Sequence, residues 1–111
     1  MKALVFHALN PNFREDVPPE GGYRLVAELE IPEMPLSEAM DFVFQLTNHI
    51  DSDWTKGNQV VRAQKPCRST SVGDVIRLEN DPNYWLCCNV GWKVKVLDEG
   101  SGVLDPNHPN A

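Results

Sequence analysis

Between Tyr84 and Val96 every even position carries a largely apolar residue: Tyr84, Leu86, Cys88, Val90, Trp92, Val94 and Val96. The odd positions hold Trp85, Cys87, Asn89, Gly91, Lys93 and Lys95. A two-residue period is the mark of an extended strand with one face turned to a core. The phase is unbroken across Gly91, which predicts one long strand, or two joined at a bend or bulge at that glycine, with the same face buried throughout. On this reading Trp85 lies on the opposite face, as an exposed aromatic beside Cys87 and near Lys93, suited to a partner surface or to a second subunit.

The same argument assigns the other elements. Residues 2–9 are apolar with a β-branched and aromatic bias and read as a first strand, with His7 in its middle as a half-buried, hydrogen-bonded side chain. Asn10-Pro11-Asn12, Pro18-Pro19 and Gly21-Gly22 make residues 10–22 a loop. From Tyr23 to Ile31 the chain alternates, with Tyr23, Leu25, Ala27, Leu29 and Ile31 on one face and Arg24, Glu28 and Glu30 on the other. Pro32 and Pro35 end that strand. Ser37 suits a helix N-cap, with Glu38 and Asp41 in the first turn. Ala39, Val43, Leu46 and Ile50, widened by Leu36 and Phe42, form an apolar stripe and predict a helix over residues 38–50. Short strands follow at 59–63 and 74–79, and Asn80-Asp81-Pro82-Asn83 is a turn. The order β-β-α-β-β-β predicts an α+β fold, a curled antiparallel sheet or small partly open barrel with one helix packed on it. One helix is too few to wrap both faces of a parallel sheet. Residues 1–97 are expected to form a single domain and residues 98–111, rich in Gly, Ser, Pro, Asn and Asp, a disordered tail.

Size and charge bound the function. At 111 residues the chain suits one core. It has no apolar run near the roughly 20 residues that span a bilayer. The N-terminus lacks a signal peptide's apolar segment, so the expected location is the cytoplasm. Cys67, Cys87 and Cys88 cannot all pair within one chain, and no CxxC or Cys/His spacing suits zinc. Reduced structural thiols are expected, with no metal and no cofactor. The net charge of −6 disfavours nucleic acid as a general partner. It is unevenly distributed: residues 54–73 carry Lys56, Arg62, Lys65 and Arg68 without an acid, while both flanks are acidic. An acidic body with one basic strip fits a protein-binding surface or a small anion site.

The densest polar chemistry is Arg68-Ser69-Thr70-Ser71-Val72-Gly73-Asp74-Val75. As a site, Arg68 would give a bidentate donor, Ser69, Thr70 and Ser71 hydroxyls, and the chain near Gly73 exposed N–H groups. As scaffold, Ser, Thr and Asp satisfy turn backbone groups, Arg68 pairs with Asp74 or another acid, and Val72-Gly73-Asp74 leads into a strand. The spacing fits scaffold better than active centre. Phosphate-binding loops, GxGxxG, HExxH and GxSxG signatures are missing. Thr47-Asn48-His49 with Asp51 and Trp54 form a second cluster at the helix C-terminus, with Trp54 as a core edge or an interaction anchor.

A strand like Tyr23-Arg24-Leu25-Val26-Ala27, a helix ending Leu46-Thr47-Asn48-His49-Ile50-Asp51 followed by Trp54, and then the Arg68–Val75 motif together resemble small uncharacterised proteins of phages, plasmids and other mobile elements. The Ser71-Val72-Gly73-Asp74 portion also resembles the YodL-like domain of mobile-element proteins. Neither resemblance brings a catalytic residue; what it implies is an accessory role.

Three functional expectations follow. The first is a non-enzymatic accessory protein of a phage or mobile element that binds a host or rival protein assembly, with counter-defence as one such role, a possible homodimer, and an acidic face around Glu28, Glu30, Glu33, Glu38 and Asp41. The second is an RNA- or nucleotide-binding module using Lys56, Arg62, Lys65, Arg68 and Trp54. The third is a hydrolase or transferase using Ser71 or Cys67 with His7 or His49 as base. The binding residues expected are Arg68, Ser69, Thr70, Ser71, Asp74, Arg62, Trp54 and Trp85.

Overall fold

A computed structural model of the chain describes residues 1–17, 19–48, 53–64 and 67–95. Among these residues six strands form one antiparallel sheet in the order β3-β2-β1-β4-β5-β6: β1 (Lys2–Asn10), β2 (Glu20–Glu30), β3 (Val60–Ala63), β4 (Val75–Leu78), β5 (Tyr84–Cys87) and β6 (Trp92–Lys95). The sheet is not closed into a barrel; β3 and β6 are its two edges. One helix, α1 (Leu36–Thr47), packs on it, and a single 3-10 turn, Trp54–Lys56, precedes β3. The α+β architecture read from the sequence is therefore the one formed. The expected tail at 98–111 lies outside the described residues.

Strand β1 is the axis of the fold, paired on one side with β2 and on the other with β4. Its odd residues Ala3 and Val5 face α1, where they meet Leu29, Ile76, Leu78, Ala39, Met40 and Val43 in the main core. Its even residues Phe6 and Ala8, with Leu4 packed beside them, face the other way and join Tyr23, Leu25, Val75, Leu86 and Cys88 in a second cluster. Both faces of the sheet's centre are thus apolar. Burying a Val, Leu or Ile side chain fully contributes roughly 1.5–3 kcal/mol, so the main core is a large part of what holds the helix to the sheet.

Three expectations are corrected. Strand β2 does not keep one face. Val5 pairs with Ala27 but Phe6 pairs with Leu25, so Val26 is an extra residue, a β-bulge. Val26, Ala27, Leu29 and Ile31 go to the helix side, whereas Tyr23 and Leu25 go to the opposite cluster. A bulge adds one residue and so flips every side chain beyond it. The two-residue phase at 84–96 fails similarly. Of the two alternatives, one long strand or two joined at Gly91, two strands form, but as a hairpin rather than a bend that keeps the buried face: in β5 and β6 Cys87 pairs with Trp92 and Trp85 with Val94. The turn is closed by the Cys88 N–H donating to the Gly91 carbonyl (3.0 Å), with Gly91 at φ +74°. Odd residues of β5 therefore share a face with even residues of β6. Trp85 consequently packs against the helix-side core, and its Nε1 points to Asp81 Oδ1 at 3.4 Å.

The helix also starts earlier than expected. Pro35 is the N-cap, at φ −57° and ψ 150°, and no side chain caps the helix. Ser37 lies inside the first turn, because the fixed proline φ already sets the chain direction before Leu36. The helix stops at Thr47, whose hydroxyl donates back to the Val43 carbonyl at 2.9 Å. His49, Ile50 and Asp51 lie outside the described residues.

Candidate functional site

Residues 71–74 form the turn that feeds β4. The Asp74 N–H donates to the Ser71 carbonyl at 3.0 Å, and Gly73 occupies the third position at φ +94°. That is the position where such a turn requires glycine. The turn delivers the Asp74 carboxylate, 1% exposed, into the sheet. There it accepts hydrogen bonds on both oxygens. Oδ1 receives the Ala8 N–H (3.0 Å) and Arg68 Nη2 (2.7 Å); Oδ2 receives the Ser71 N–H (2.8 Å) and Arg68 Nη1 (2.7 Å). Arg68 thus grips the carboxylate bidentately, the strongest geometry open to this pair. The guanidinium also donates to the Ser69 carbonyl (3.0 Å) and lies 5.7 Å from the Phe13 ring centroid.

Thr70 ties this clamp to the helix. It is fully buried; its N–H donates to the Thr47 carbonyl (2.9 Å) and its carbonyl accepts from Asn48 Nδ2. The Trp54 indole donates to the Arg68 carbonyl at 3.0 Å. Thr47, Asn48, Trp54 and the Arg68–Asp74 motif, separate clusters in the sequence, are one bonded unit here.

His7 enters from β1. Its Nε2 is 2.9 Å from Thr70 Oγ1 and 3.9 Å from Asp74 Oδ2, and its Nδ1 is 3.7 Å from Cys67 Sγ. Its ring lies edge-on to Trp54 with centroids 6.4 Å apart. Burial lowers the His7 pKa to about 4, against the opposing pull of the Asp74 carboxylate. Burial also pushes the Cys67 thiol up to about 11. The pair is therefore a neutral imidazole and a neutral thiol, with one ring nitrogen donating and the other accepting.

Cys67 and His7 open on a cleft of about 170 Å³, lined also by Arg24, Val26, Gln64 and Arg68. Arg24 pairs with His7 across β1 and β2 and so shares its face. The sequence phase had set Arg24 opposite the inward residues, and the Val26 bulge is what redirects it. The readable signal was Val26 itself, an apolar residue on the supposedly polar face.

The expected site residues divide accordingly. Arg68, Ser69, Thr70, Ser71 and Asp74 are together, with Trp54 against them, but mostly as scaffold. The Ser71 hydroxyl points to the Ser69 carbonyl at 3.4 Å rather than to a base. Trp54 is buried, so it offers no face on which a base could stack. Arg62 is on the edge strand β3, 3.7 Å from Glu28 of β2. Lys65 lies outside the described residues. Trp85 stands apart, on β5. Of the acidic face, Glu28 pairs with Arg62, Glu30 with the terminal amine (3.1 Å), and Asp41 accepts from Trp92 Nε1 (3.0 Å). Among the described residues no three His, Cys, Asp or Glu side chains converge as metal ligands, and no helix is long and apolar enough to cross a membrane. No protein-family model, curated protein or solved structure matches the chain.

Proposed function

We propose that the chain is a non-enzymatic accessory protein of a phage or other mobile element, acting in the host cytoplasm by binding a host or rival protein. The single observation that carries the binding reading is the strip formed by Trp85, Trp92 and Val94. Trp85 and Val94 are cross-strand partners on the helix-side face of β5 and β6. Both tryptophans are only partly buried against the core, and Val94 remains 50% exposed on an edge strand. Half-covered tryptophans beside an exposed valine supply apolar anchors, and an edge strand supplies backbone groups for strand addition. Val90, at the hairpin tip, is a further exposed apolar side chain, 92% exposed. Against catalysis stands the commitment of Asp74 to the fold, where Arg68 and two backbone N–H groups hold its carboxylate. The accessory context rests on the resemblance of the Arg68–Val75 motif.

The test is site-specific photo-crosslinking from position 94 in host cells, with position 56, the exposed last residue of the 3-10 turn, as control. The expected result is a discrete protein adduct from position 94 that position 56 does not give. Identical adduct patterns from both positions would refute the reading.

A further inference from the structure

The Arg68–Asp74 clamp cancels its own charge, but Arg24 is not cancelled. Among the described residues Arg24 forms no ion pair, and its Nε is buried without a hydrogen-bond partner. A buried guanidinium N–H left unpaired is unfavourable unless something fills the position. The side chain lines the cleft of about 170 Å³ together with His7, Gln64, Cys67 and Arg68. That volume is below the roughly 300 Å³ at which pockets for whole small-molecule ligands begin, so it suits a group rather than a molecule. The lining is chemically one-sided. His7 and Cys67 are neutral, the Gln64 amide can donate, and among the described residues no carboxylate lines the cleft. Asp74, the acid nearest His7, is already saturated by Arg68 and two backbone N–H groups.

We propose that this cleft is a binding site for a compact oxyanion, a carboxylate or phosphate group, with Arg24 as its principal ligand and Gln64 as a second donor. A planar guanidinium presents two parallel N–H groups that match both oxyanions. The site shares no residue with the Trp85–Trp92–Val94 strip, so it stands or falls independently of the protein-binding reading.

The experiment is an NMR titration of the full chain, following the Arg24 Nε–Hε and the Gln64 and Cys67 amide signals. Inorganic phosphate and sodium acetate are the two probes, each added at constant ionic strength against chloride. The expected result is a saturable shift of these signals with at least one probe, with half-saturation in the millimolar range. Saturation by phosphate alone assigns a phosphate site, by acetate alone a carboxylate site, and by both a general oxyanion site. Arg24→Gln is expected to weaken binding at least tenfold. Gln64→Glu, which places a carboxylate in the cleft while leaving Arg24 and its strand unchanged, is expected to do the same. Shifts that stay linear with both probes, or saturation unaltered in the Gln64→Glu protein, overturn the proposal.

Discussion

Replacing Asp74 by Asn keeps the shape of the side chain and removes its charge. One oxygen becomes an NH2 group, so two of the contacts it accepts now oppose donor to donor. With the amide at the Oδ2 position these are the contacts to the Ser71 N–H and Arg68 Nη1. The Arg68 guanidinium loses its counter-charge at the same time. Removing one partner of a buried ion pair costs about 3–5 kcal/mol. Arg68 is 31% exposed, which lets water recover part of that loss and places the expectation at the lower end, about 3 kcal/mol. Against a total stability of roughly 5–15 kcal/mol this is a large fraction. Urea unfolding followed by tryptophan fluorescence reads it directly, since Trp54 reports on the same unit through its bond to the Arg68 carbonyl. With a slope of about 1–3 kcal/mol per molar urea, the midpoint falls by on the order of 1–3 M. Arg68→Met in the Asp74→Asn background then costs less than Arg68→Met alone, because the carboxylate it would orphan is already gone. A loss below about 1 kcal/mol for Asp74→Asn, the size of a surface ion pair, would refute the clamp as a structural keystone.

Two further outcomes follow from the same geometry. His7 has its folded pKa depressed from 6.5 to about 4, so the unfolded chain takes up a proton that the folded chain refuses. Stability is full above the unfolded value and declines as pH falls from 6.5 towards 4, by about 3 kcal/mol in all at about 1.4 kcal/mol per pH unit. The His7→Gln protein lacks this component; equal pH slopes for both proteins between 7 and 4.5 would contradict a buried neutral imidazole. Gly73→Ala forces a side chain onto φ +94° with its Cβ 3.1 Å from the Arg14 carbonyl oxygen, whereas Gly91→Ala at φ +74° meets open space. Thermal unfolding is expected to show a loss of about 1–3 kcal/mol for Gly73→Ala, larger than that for Gly91→Ala; equal losses would contradict the close approach of the 12–14 loop to the turn.

Much of the fold was readable because it is local. The apolar run at 2–9, the prolines before the helix, the Ala39–Val43 stripe and the Asn80–Asn83 turn each draw on neighbours within a few residues. Of the two pairings offered for Arg68, Asp74 or a more distant acid, the local one with Asp74 is the one formed, since a turn's own polar residues show in its sequence. The failures share one cause. Periodicity assumes an unbroken register, and one extra residue at Val26 and one reversal at Asn89–Gly91 each switch the face of everything beyond. Trp85 and Arg24 were misplaced for that reason alone.

The sequence by itself therefore determined most of the extended segments, the place of the helix and the turn at 80–83, because those depend on side-chain period and backbone sterics. Only the tertiary structure decided which face each residue took. It also set His7 against Cys67 and Thr70, 60 and 63 residues away. Such contacts are fixed by hydrogen-bond register between strands distant in the chain, and no local pattern of residues encodes that register.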